Sequence, residues 1–167
     1  MTRALFLDRD GVVNVDKAYV YKIGDFEFID GIFDLCESAQ SHGFKIIIAT
    51  NQSGIARGYY TVEDFNRLTE YMIGKFKSNG IEITDVFYCP DLSGPDRKPN
   101  PGMFIKARDK YCIDMKKSVS VGDKQRDIQA ALTAGIIRNY LLSVSDTPST
   151  ACATVSSLRD LCGVFDF

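Results

Sequence analysis

Short apolar runs alternate with amphipathic segments along most of this chain. Short runs rich in Val, Ile, Leu and Phe that end at polar or turn residues are typical of buried strands. The predicted strands are Ala4–Leu7, Lys45–Ala49, Asp85–Cys89, Ser118–Val121 and Asn139–Val144. Between these runs, apolar residues recur at helical spacing. The predicted helices are Ile32–Ser41, Val62–Asn79, Pro101–Tyr111, Asp127–Ala134 and a short one at Leu158–Leu161.

Residues at the helix ends support these boundaries. Thr61 with Asp64 three positions later predicts a capping box at the start of the second helix, and Gly80 predicts its end. Asn100 followed by Pro101 predicts an N-cap and a first-turn proline for the third helix. The local signals and the hydrophobic periodicity therefore indicate the same elements.

Alternating strands and helices favour an α/β fold with a central parallel sheet and helices on both faces. A chain of 167 residues is long enough for one domain with its own core, and the sequence contains no repeat, linker or low-complexity tract. We therefore predict a single Rossmann-like, three-layer domain spanning residues 1–167.

The composition and charge narrow the class of partner. The chain is 45% hydrophobic and 25% charged, as in ordinary globular proteins, and its net charge of −2 comes without a basic stripe. We therefore expect no nucleic-acid partner. The sequence has no apolar run of membrane-spanning length and no signal peptide, so we expect no membrane association and a cytoplasmic location.

Cysteine and histidine contents exclude several kinds of site. The five cysteines form no Cys-x-x-Cys pair, which favours free thiols in a reducing compartment over disulfides or zinc ligands. His42 is the only histidine and precedes Gly43 at the predicted end of a helix. A histidine-based catalytic triad and a multi-histidine metal site are therefore excluded.

Polar side chains follow each of the first four predicted strands. These segments are Asp8–Gly11, Thr50–Gly54, Arg97–Pro99 and Gly122–Lys124, with Asp127 shortly after the last. Each could be an ordinary polar turn when considered alone. However, ligands of open parallel sheets bind outside the carboxyl ends of the strands, so the four segments are predicted to meet at one edge.

Together these groups suit phosphoryl transfer to a carboxylate. Asp8 is ionised at neutral pH and can act as the nucleophile, while Asp10 can exchange protons with the leaving group and with water. Asp8, Asp123 and a backbone carbonyl near Asp10 offer the oxygen ligands that Mg²⁺ prefers. Thr50 can hold a phosphoryl oxygen, and Lys98 can neutralise developing charge.

In this order the motifs resemble those of the haloacid dehalogenase superfamily of phosphatases. The matching residues are Asp8 and Asp10, Thr50, Lys98, and Asp123 with Asp127. Within the superfamily, the segments DRDGVVNVD, YVYKIGDFEFIDG, TNQSGIARGYY, RKPNPGM and VGDKQRD resemble the histidinol-phosphatase and heptose-bisphosphatase group. The resemblance covers nearly the whole chain.

The resemblance implies a cytoplasmic phosphatase that removes the C7 phosphate of D-glycero-D-manno-heptose 1,7-bisphosphate through an aspartyl-phosphate. It assigns catalysis to Asp8, Asp10, Thr50 and Lys98, and Mg²⁺ binding to Asp8, Asp10 and Asp123. The implied substrate-binding residues are Asp16, Tyr19, Thr50, Asn51, Gln52, Ser53, Arg97, Lys98 and Lys124.

Two charged residues next to the motifs are left with open roles. Arg9 lies between two site residues on an extended segment, so its side chain is expected to point away from the site. Asp127 either acts directly or, as a helix-start carboxylate, orients Lys124 or a backbone amide.

One segment departs from the group's pattern. Its members usually hold a structural zinc with Cys-x-His after the third strand and Cys-x-Cys before the Arg-Lys-Pro. Here Cys89 is followed by Asp91 in place of the histidine, and the second cysteine pair is absent. One thiol cannot build a tetrahedral zinc site, so we expect no structural zinc and an ordinary buried thiol at Cys89.

The gaps between motifs are too short for an inserted cap domain, so the resemblance implies a capless fold. Loops 14–30, 54–60 and 90–97 are left to select the substrate, a small phosphorylated sugar, and we expect a monomer. The alternatives are a histidinol-phosphate phosphatase, a 3′-phosphatase of nucleic-acid ends and a non-catalytic binding module. The acidic balance argues against the second, and the presence of both Asp8 and Asp10 argues against the third.

Overall fold

A six-stranded sheet forms the centre of the computed structural model, which describes all 167 residues. Its strands are β1 (Arg3–Leu7), β2 (Phe44–Asn51), β3 (Ile83–Cys89), β4 (Val119–Gly122), β5 (Arg138–Leu142) and β6 (Ala153–Val155). The strand order is β3-β2-β1-β4-β5-β6, and every neighbouring pair is parallel. The predicted parallel sheet is confirmed, with one strand more than the five predicted.

Four α-helices cover the two faces of the sheet. They are α1 (Ile32–Ser41), α2 (Val62–Ser78), α3 (Gly102–Tyr111) and α4 (Gln125–Thr133). Helices α1 and α2 contribute to one hydrophobic core, and α3 and α4 contribute to another on the opposite face. The predicted three-layer architecture is confirmed. No helix is both long enough and apolar enough to cross a membrane.

The two central strands explain why the apolar runs are unbroken. Along β1, Leu5 and Leu7 pack into the core of α1 and α2, while Ala4 and Phe6 pack into the core of α3 and α4. Successive side chains of a strand point to opposite faces, so a strand covered on both faces is apolar at every position.

A strand, a helix type and a helix cap differ from the prediction. β6 was not predicted because it is a short edge strand whose residues are exposed or half-buried, so it carries no apolar run. Leu158–Leu161 forms a 3₁₀ helix. The predicted Asn100 N-cap is wrong, because Pro101 takes that position and the Asn100 side chain donates to the carbonyl of Gly94 at 2.8 Å.

The boundary signals of α2 are confirmed. The Thr61 hydroxyl accepts from the backbone N–H of Asp64 at 3.1 Å, and the Asp64 carboxylate accepts from the N–H of Thr61 at 3.0 Å. Gly80 follows the helix with a φ of +74°, which favours glycine. A substitution that removes such a cap typically costs about 1 kcal/mol.

The connections between the first strands contain no additional domain. Between β1 and β2 the chain has a loop, a short 3₁₀ helix at Ile23–Asp25 and α1, and between β2 and β3 it has only α2 with its flanking loops. All strands are parallel, so the four motif-bearing segments emerge at the same edge of the sheet.

Candidate active site

The segments that follow β1, β2, β3 and β4 line a cavity of about 350 Å³ at the carboxyl edge of the sheet. Ten of the sequence-predicted site residues line it: Asp8, Asp10, Asp16, Tyr19, Asn51, Gln52, Ser53, Arg97, Lys98 and Lys124. The other lining residues are Ala18, Arg57, Tyr60, Arg126 and Asp127. The sequence-predicted residues Thr50 and Asp123 are not on its wall.

Lys98 forms the floor of the cavity and is almost fully buried. Its ammonium Nζ lies 2.9 Å from Asp8 Oδ1, 2.7 Å from the carbonyl oxygen of Ala49 and 2.8 Å from Asp127 Oδ1. The contacts with Asp8 and Ala49 are hydrogen bonds, and the contact with Asp127 is an ion pair. Burial would lower the pKa of Lys98, but the charges of Asp127 and Asp8 outweigh it and raise that pKa.

Asn51 holds the backbone of Lys98 in place. The Asn51 side-chain amide donates to the Lys98 carbonyl at 3.1 Å and accepts from the Lys98 N–H at 3.0 Å. Because its side-chain amide already bonds both the N–H and the carbonyl of Lys98, Asn51 has little hydrogen-bonding capacity left for a ligand. The structure thus places Asn51 on the cavity wall, with its amide committed to Lys98.

Asp8 lies where negative charges are concentrated. Its Oδ1 accepts from Lys98 and from the backbone N–H of Arg9 at 2.9 Å. Burial, followed by the nearby charges of Asp127, Asp123 and Asp10, raises the pKa of Asp8 well above its usual range, and Lys98 offsets only part of this. A cation placed here would relieve that repulsion.

Asp8, Asp123 and Asp127 form the acidic cluster of the site, with one oxygen of each within 4.8 Å of the others. Asp127 Oδ2 accepts from the backbone N–H groups of Asp123 at 3.1 Å and Lys124 at 3.0 Å, and Oδ1 forms an ion pair with Lys98 at 2.8 Å. Asp127 therefore orients backbone amides at the start of α4, as one of its two interpretations predicts, and its direct role in the reaction stays a prediction.

Asp123 has a carboxylate oxygen that is free to bind a ligand. Its Oδ1 is buried and has no hydrogen-bond partner, and the same holds for Asp127 Oδ1, which faces Lys98. Burial and the Asp127 charge raise the pKa of Asp123 to about 6. Gly11, with a φ of +94°, packs directly against this carboxylate, and a Cβ there would overlap it. A carboxylate donor set with an unpartnered buried oxygen fits a hard cation such as Mg²⁺.

Asp10 is held apart from this cluster by three hydrogen-bond donors. Arg9 Nη2 and Asn14 Nδ2 each donate to Oδ1 at 3.0 Å, and Gln52 Nε2 donates to Oδ2 at 3.0 Å. The Gln52 carbonyl in turn accepts from the hydroxyl of Tyr60. The carboxylate orientation is therefore set by a network of side chains rather than by Lys98.

Thr50 lies behind this network and not on the cavity wall. It is buried, and its hydroxyl accepts from Gln52 Nε2 at 3.0 Å. Gln52 thus separates the Thr50 hydroxyl from the cavity. In this geometry the Thr50 hydroxyl supports Gln52, and the contact with phosphate that the resemblance implies stays a prediction.

The mouth of the cavity carries positive charge above this acidic floor. Arg57, Arg97, Lys124 and Arg126 line it, whereas only Arg97 and Lys124 were predicted from the sequence. On the same rim, Ala18 and Tyr19 both have a φ of +57°, and the Asp16 carboxylate accepts from the N–H of Ala18 at 3.0 Å. A cationic mouth favours anionic substrates.

Four site residues were not named from the sequence although they lie in the segments that carry the family resemblance. Asn14 is fully buried and contacts Asp10, and the Tyr60 hydroxyl contacts Gln52. Arg57 and Arg126 line the cavity. The quoted segments contain all four residues, but the contacts of Asn14 and Tyr60 are set by packing between side chains.

Comparisons with known proteins agree with this geometry. A HAD-hydrolase-like family model matches residues 96–143. The D-glycero-alpha-D-manno-heptose-1,7-bisphosphate 7-phosphatase of Campylobacter jejuni is 54% identical over 136 residues, which cover 81% of this chain and 79% of that relative. The corresponding beta-anomer enzyme of Vibrio cholerae is 44% identical, with coverage of 95% and 93%.

A solved structure is similar over almost the whole chain. The D,D-heptose 1,7-bisphosphate phosphatase from B. bronchiseptica, complexed with magnesium and phosphate, superposes with a TM-score of 0.86 at 28% identity, covering 96% of each chain. Identity, coverage, fold and motif order all agree. The chain belongs to the haloacid dehalogenase superfamily of phosphatases, in the family of the D-glycero-D-manno-heptose-1,7-bisphosphate 7-phosphatases.

Proposed function

We propose that the protein hydrolyses the C7 phosphate of D-glycero-D-manno-heptose 1,7-bisphosphate with Mg²⁺ as cofactor. The observation that carries the proposal is the buried Asp8–Lys98 pair at the floor of a cavity whose mouth is lined by four cationic side chains. The floor suits attack on phosphorus, and the cationic mouth suits a substrate with a second phosphate. The relative from Campylobacter jejuni is named for the alpha anomer of the heptose bisphosphate, and the relative from Vibrio cholerae for the beta anomer.

The first half of the reaction forms an acyl phosphate on Asp8. A carboxylate oxygen of Asp8 attacks phosphorus, the bond between phosphorus and the C7 oxygen breaks, and the sugar oxygen takes a proton from Asp10. Lys98, held by two hydrogen bonds and an ion pair, keeps Asp8 oriented and neutralises part of the charge that develops at the floor.

The second half releases phosphate. Asp10 takes a proton from a water molecule, whose oxygen attacks phosphorus, so that inorganic phosphate leaves and the Asp8 carboxylate is restored. Asp8 and Asp123 would hold Mg²⁺, with Asp10 contributing a backbone carbonyl. When bound, the ion supplies Lewis-acid charge that offsets repulsion between the Asp8 carboxylate and the phosphate.

A phosphate-release panel tests the proposal. The substrates are both anomers of the heptose 1,7-bisphosphate, histidinol phosphate, p-nitrophenyl phosphate and an oligonucleotide with a 3′-phosphate, each with and without Mg²⁺. We expect one heptose bisphosphate to have the highest kcat/KM, with release of a single phosphate from C7. A higher kcat/KM for histidinol phosphate or for the oligonucleotide would contradict the proposal and support the corresponding alternative.

The proposed partners and location follow from the same function. We propose a monomer in the cytoplasm that acts on a small sugar phosphate without nucleic acid or membrane. The five cysteines are all free thiols, as a reducing compartment favours. Light scattering coupled to size exclusion would test the monomer, and a dimer mass at micromolar concentration would contradict it.

A further inference from the structure

Arg9 is the largest fully buried side chain of the protein, although it stands between the nucleophile and the proton-transfer group. As expected from the sequence, its side chain does not line the cavity. Its Nη2 instead donates to two acceptors, Asp10 Oδ1 at 3.0 Å and the carbonyl oxygen of Val20 at 2.7 Å. The guanidinium also lies 5.9 Å from the centre of the Phe65 ring.

The second acceptor belongs to a loop that is held by side-chain packing, with Val20 in the core and Tyr19 against Tyr59, and by few hydrogen bonds. Residues 16–21, which place Asp16, Ala18 and Tyr19 on the cavity wall, make no backbone–backbone hydrogen bond to any part of the chain. Their remaining contacts include the internal Asp16–Ala18 bond, an exposed ion pair of Lys17 and the stacking of Tyr21 on Tyr60. The Arg9–Val20 bond is therefore the one buried polar anchor of this loop.

We infer that Arg9 is a positioning residue that sets the 16–21 loop and the Asp10 carboxylate relative to each other. One nitrogen, Nη2, donates one hydrogen to each acceptor. The 16–21 loop and the Asp10 carboxylate are therefore held by the same guanidinium group. The guanidinium is suited to this because its donors are fixed in a plane, whereas an ammonium on a flexible stem is not. The inference rests on the proposed function for the identity of the substrate.

Two features argue that Arg9 is not present for stability alone. Its Nε is buried without a hydrogen-bond partner, and a buried unpaired donor is unfavourable for folding. Its ion-pair partner Asp10 has two further donors, Asn14 and Gln52, so the carboxylate keeps two hydrogen bonds when the guanidinium is removed. Removing one partner of a buried ion pair is destabilising, so an apolar side chain at position 9 is expected to lower the Tm, whereas a lysine keeps a positive charge beside Asp10.

The test compares Arg9→Met and Arg9→Lys with the control Arg3→Met. Arg3 also donates to two acceptors, in its case the main-chain carbonyls of His42 and Phe167, and packs on an aromatic ring, but it lies outside the cavity. Each variant is assayed for kcat and KM on heptose 1,7-bisphosphate and on p-nitrophenyl phosphate, whose leaving group needs no protonation. Hydrogen exchange of the peptide covering residues 16–21 and the Tm complete the set.

We expect Arg9→Met to lower kcat on the bisphosphate about 10²-fold, the typical cost of a misplaced group, and to raise KM roughly tenfold. On the aryl phosphate we expect a smaller loss in kcat/KM, since formation of the phosphoenzyme does not need Asp10 there. Exchange of residues 16–21 should accelerate more than the lower Tm of the whole fold explains, so peptides outside the loop should change less. Arg9→Lys should lie in between, and Arg3→Met should leave kinetics and loop exchange unchanged.

Unchanged loop exchange in both Arg9 variants would overturn the inference, as would equal losses on the two substrates together with exchange that accelerates equally across the chain. If Arg9→Met does not fold, Arg9→Lys decides through the same exchange and kinetic measurements. A wild-type protein that is inactive on heptose bisphosphate would contradict the proposed function instead. The exchange of residues 16–21 and the aryl phosphate kinetics would still test Arg9 in that case.

Discussion

At the scale of single residues, the two aspartates after β1 have different partners, and the partners separate their chemistry. Asp8 faces Lys98 and the carboxylates of Asp123 and Asp127, which suits a nucleophile beside a cation. Asp10 faces the side chains of Arg9, Asn14 and Gln52, which orient it without joining it to that cluster. Two residues apart in sequence, they belong to different networks.

This separation predicts different effects of removing each charge. Asp8→Asn should abolish turnover and formation of the phosphoenzyme, because an amide is a poor nucleophile. Asp10→Asn should reduce kcat by roughly 10²–10⁴-fold, the usual contribution of a general acid or base, while a phosphoenzyme still forms with p-nitrophenyl phosphate. Rapid-quench assays measure both steps, with the exposed Asp146→Asn as a control. A phosphoenzyme trapped in Asp8→Asn would contradict the roles proposed here.

The raised pKa of Asp123, about 6, predicts a pH-dependent response to Mg²⁺. A carboxyl pKa that is higher in the folded state means that the metal-free fold loses stability as pH rises from the unfolded value near 4 through 6. Mg²⁺ binds the deprotonated form, so it should raise the Tm more at pH 7.5 than at pH 5. Differential scanning calorimetry measures this shift.

The matched variant for this prediction is Asp123→Asn. We expect it to weaken the Mg²⁺-induced shift in Tm at pH 7.5 strongly, while Asp146→Asn keeps the shift of the wild type. An Mg²⁺ effect of equal size at both pH values, or one that survives in Asp123→Asn, would argue against Asp123 as a ligand.

At the scale of elements, the segment between β3 and α3 carries Arg97 and Lys98, and hydrogen bonds hold it. The N–H of Arg97 donates to the carbonyl of Gly94 at 3.2 Å, and the N–H of Gly102 donates to the carbonyl of Pro95 at 2.9 Å. Gly102 packs so closely on Pro95 that a Cβ would overlap its carbonyl oxygen. Turn geometry and close backbone packing thus hold this segment in place.

The prediction for this segment concerns zinc content and Cys89. Cys89 is buried, and its sulfur contacts only the carbonyl of Asp91 among polar groups, at 4.0 Å. Elemental analysis of the purified protein should find no stoichiometric zinc, and Cys89→Ser should keep the fold and most of the activity. In a zinc-dependent loop the same change would remove metal and stability together. About one zinc per chain, lost in Cys89→Ser, would refute this prediction.

At the scale of the whole molecule, the C-terminal segment packs on α1 beside the sheet. Leu158, Leu161 and Phe165 join the core of α1 and α2, and Arg3 donates from β1 to the carbonyl of Phe167 at 2.7 Å. His42, the residue that caps α1, lies between this segment and the helix. Its Nδ1 is 2.8 Å from the Ser38 carbonyl, and its Nε2 is 2.7 Å from the Asp166 carboxylate.

Two acceptors at the two ring nitrogens favour the protonated imidazole, and the hydrogen bonds to Ser38 and Asp166 raise the pKa of His42. A raised pKa means that the stabilisation is complete below the unfolded value of about 6.5 and is lost as pH rises through the folded pKa. Urea unfolding should therefore show a stability gap between the wild type and His42→Gln that narrows from pH 5.5 to pH 8.5. A gap that is constant over this range would contradict the prediction.

The sequence by itself determined the fold class and the composition of the site. Strands β1 and β2 are buried on both faces, so they had to be apolar at nearly every position and were visible as runs. Parallel connectivity then placed the residues after β1, β2 and β4 at one edge, and the motifs identified the chemistry. β6 and the N-cap of α3 were not predicted, because a short exposed strand and a proline N-cap leave no periodic pattern in the sequence.

Only the tertiary structure decided which side chains form hydrogen bonds with each other. The partners of Asp10 include Gln52, 42 positions away, and those of Asp8 include Lys98, 90 positions away. Beyond the end of a strand, side-chain direction no longer alternates but depends on loop dihedral angles such as the φ of +94° at Gly11. That is why Arg9 points away from the cavity and still contacts Asp10. Residue types and their spacing indicate the chemistry of the site. Contacts between loops that are distant in sequence form only in the folded chain, so the sequence pattern does not reveal them.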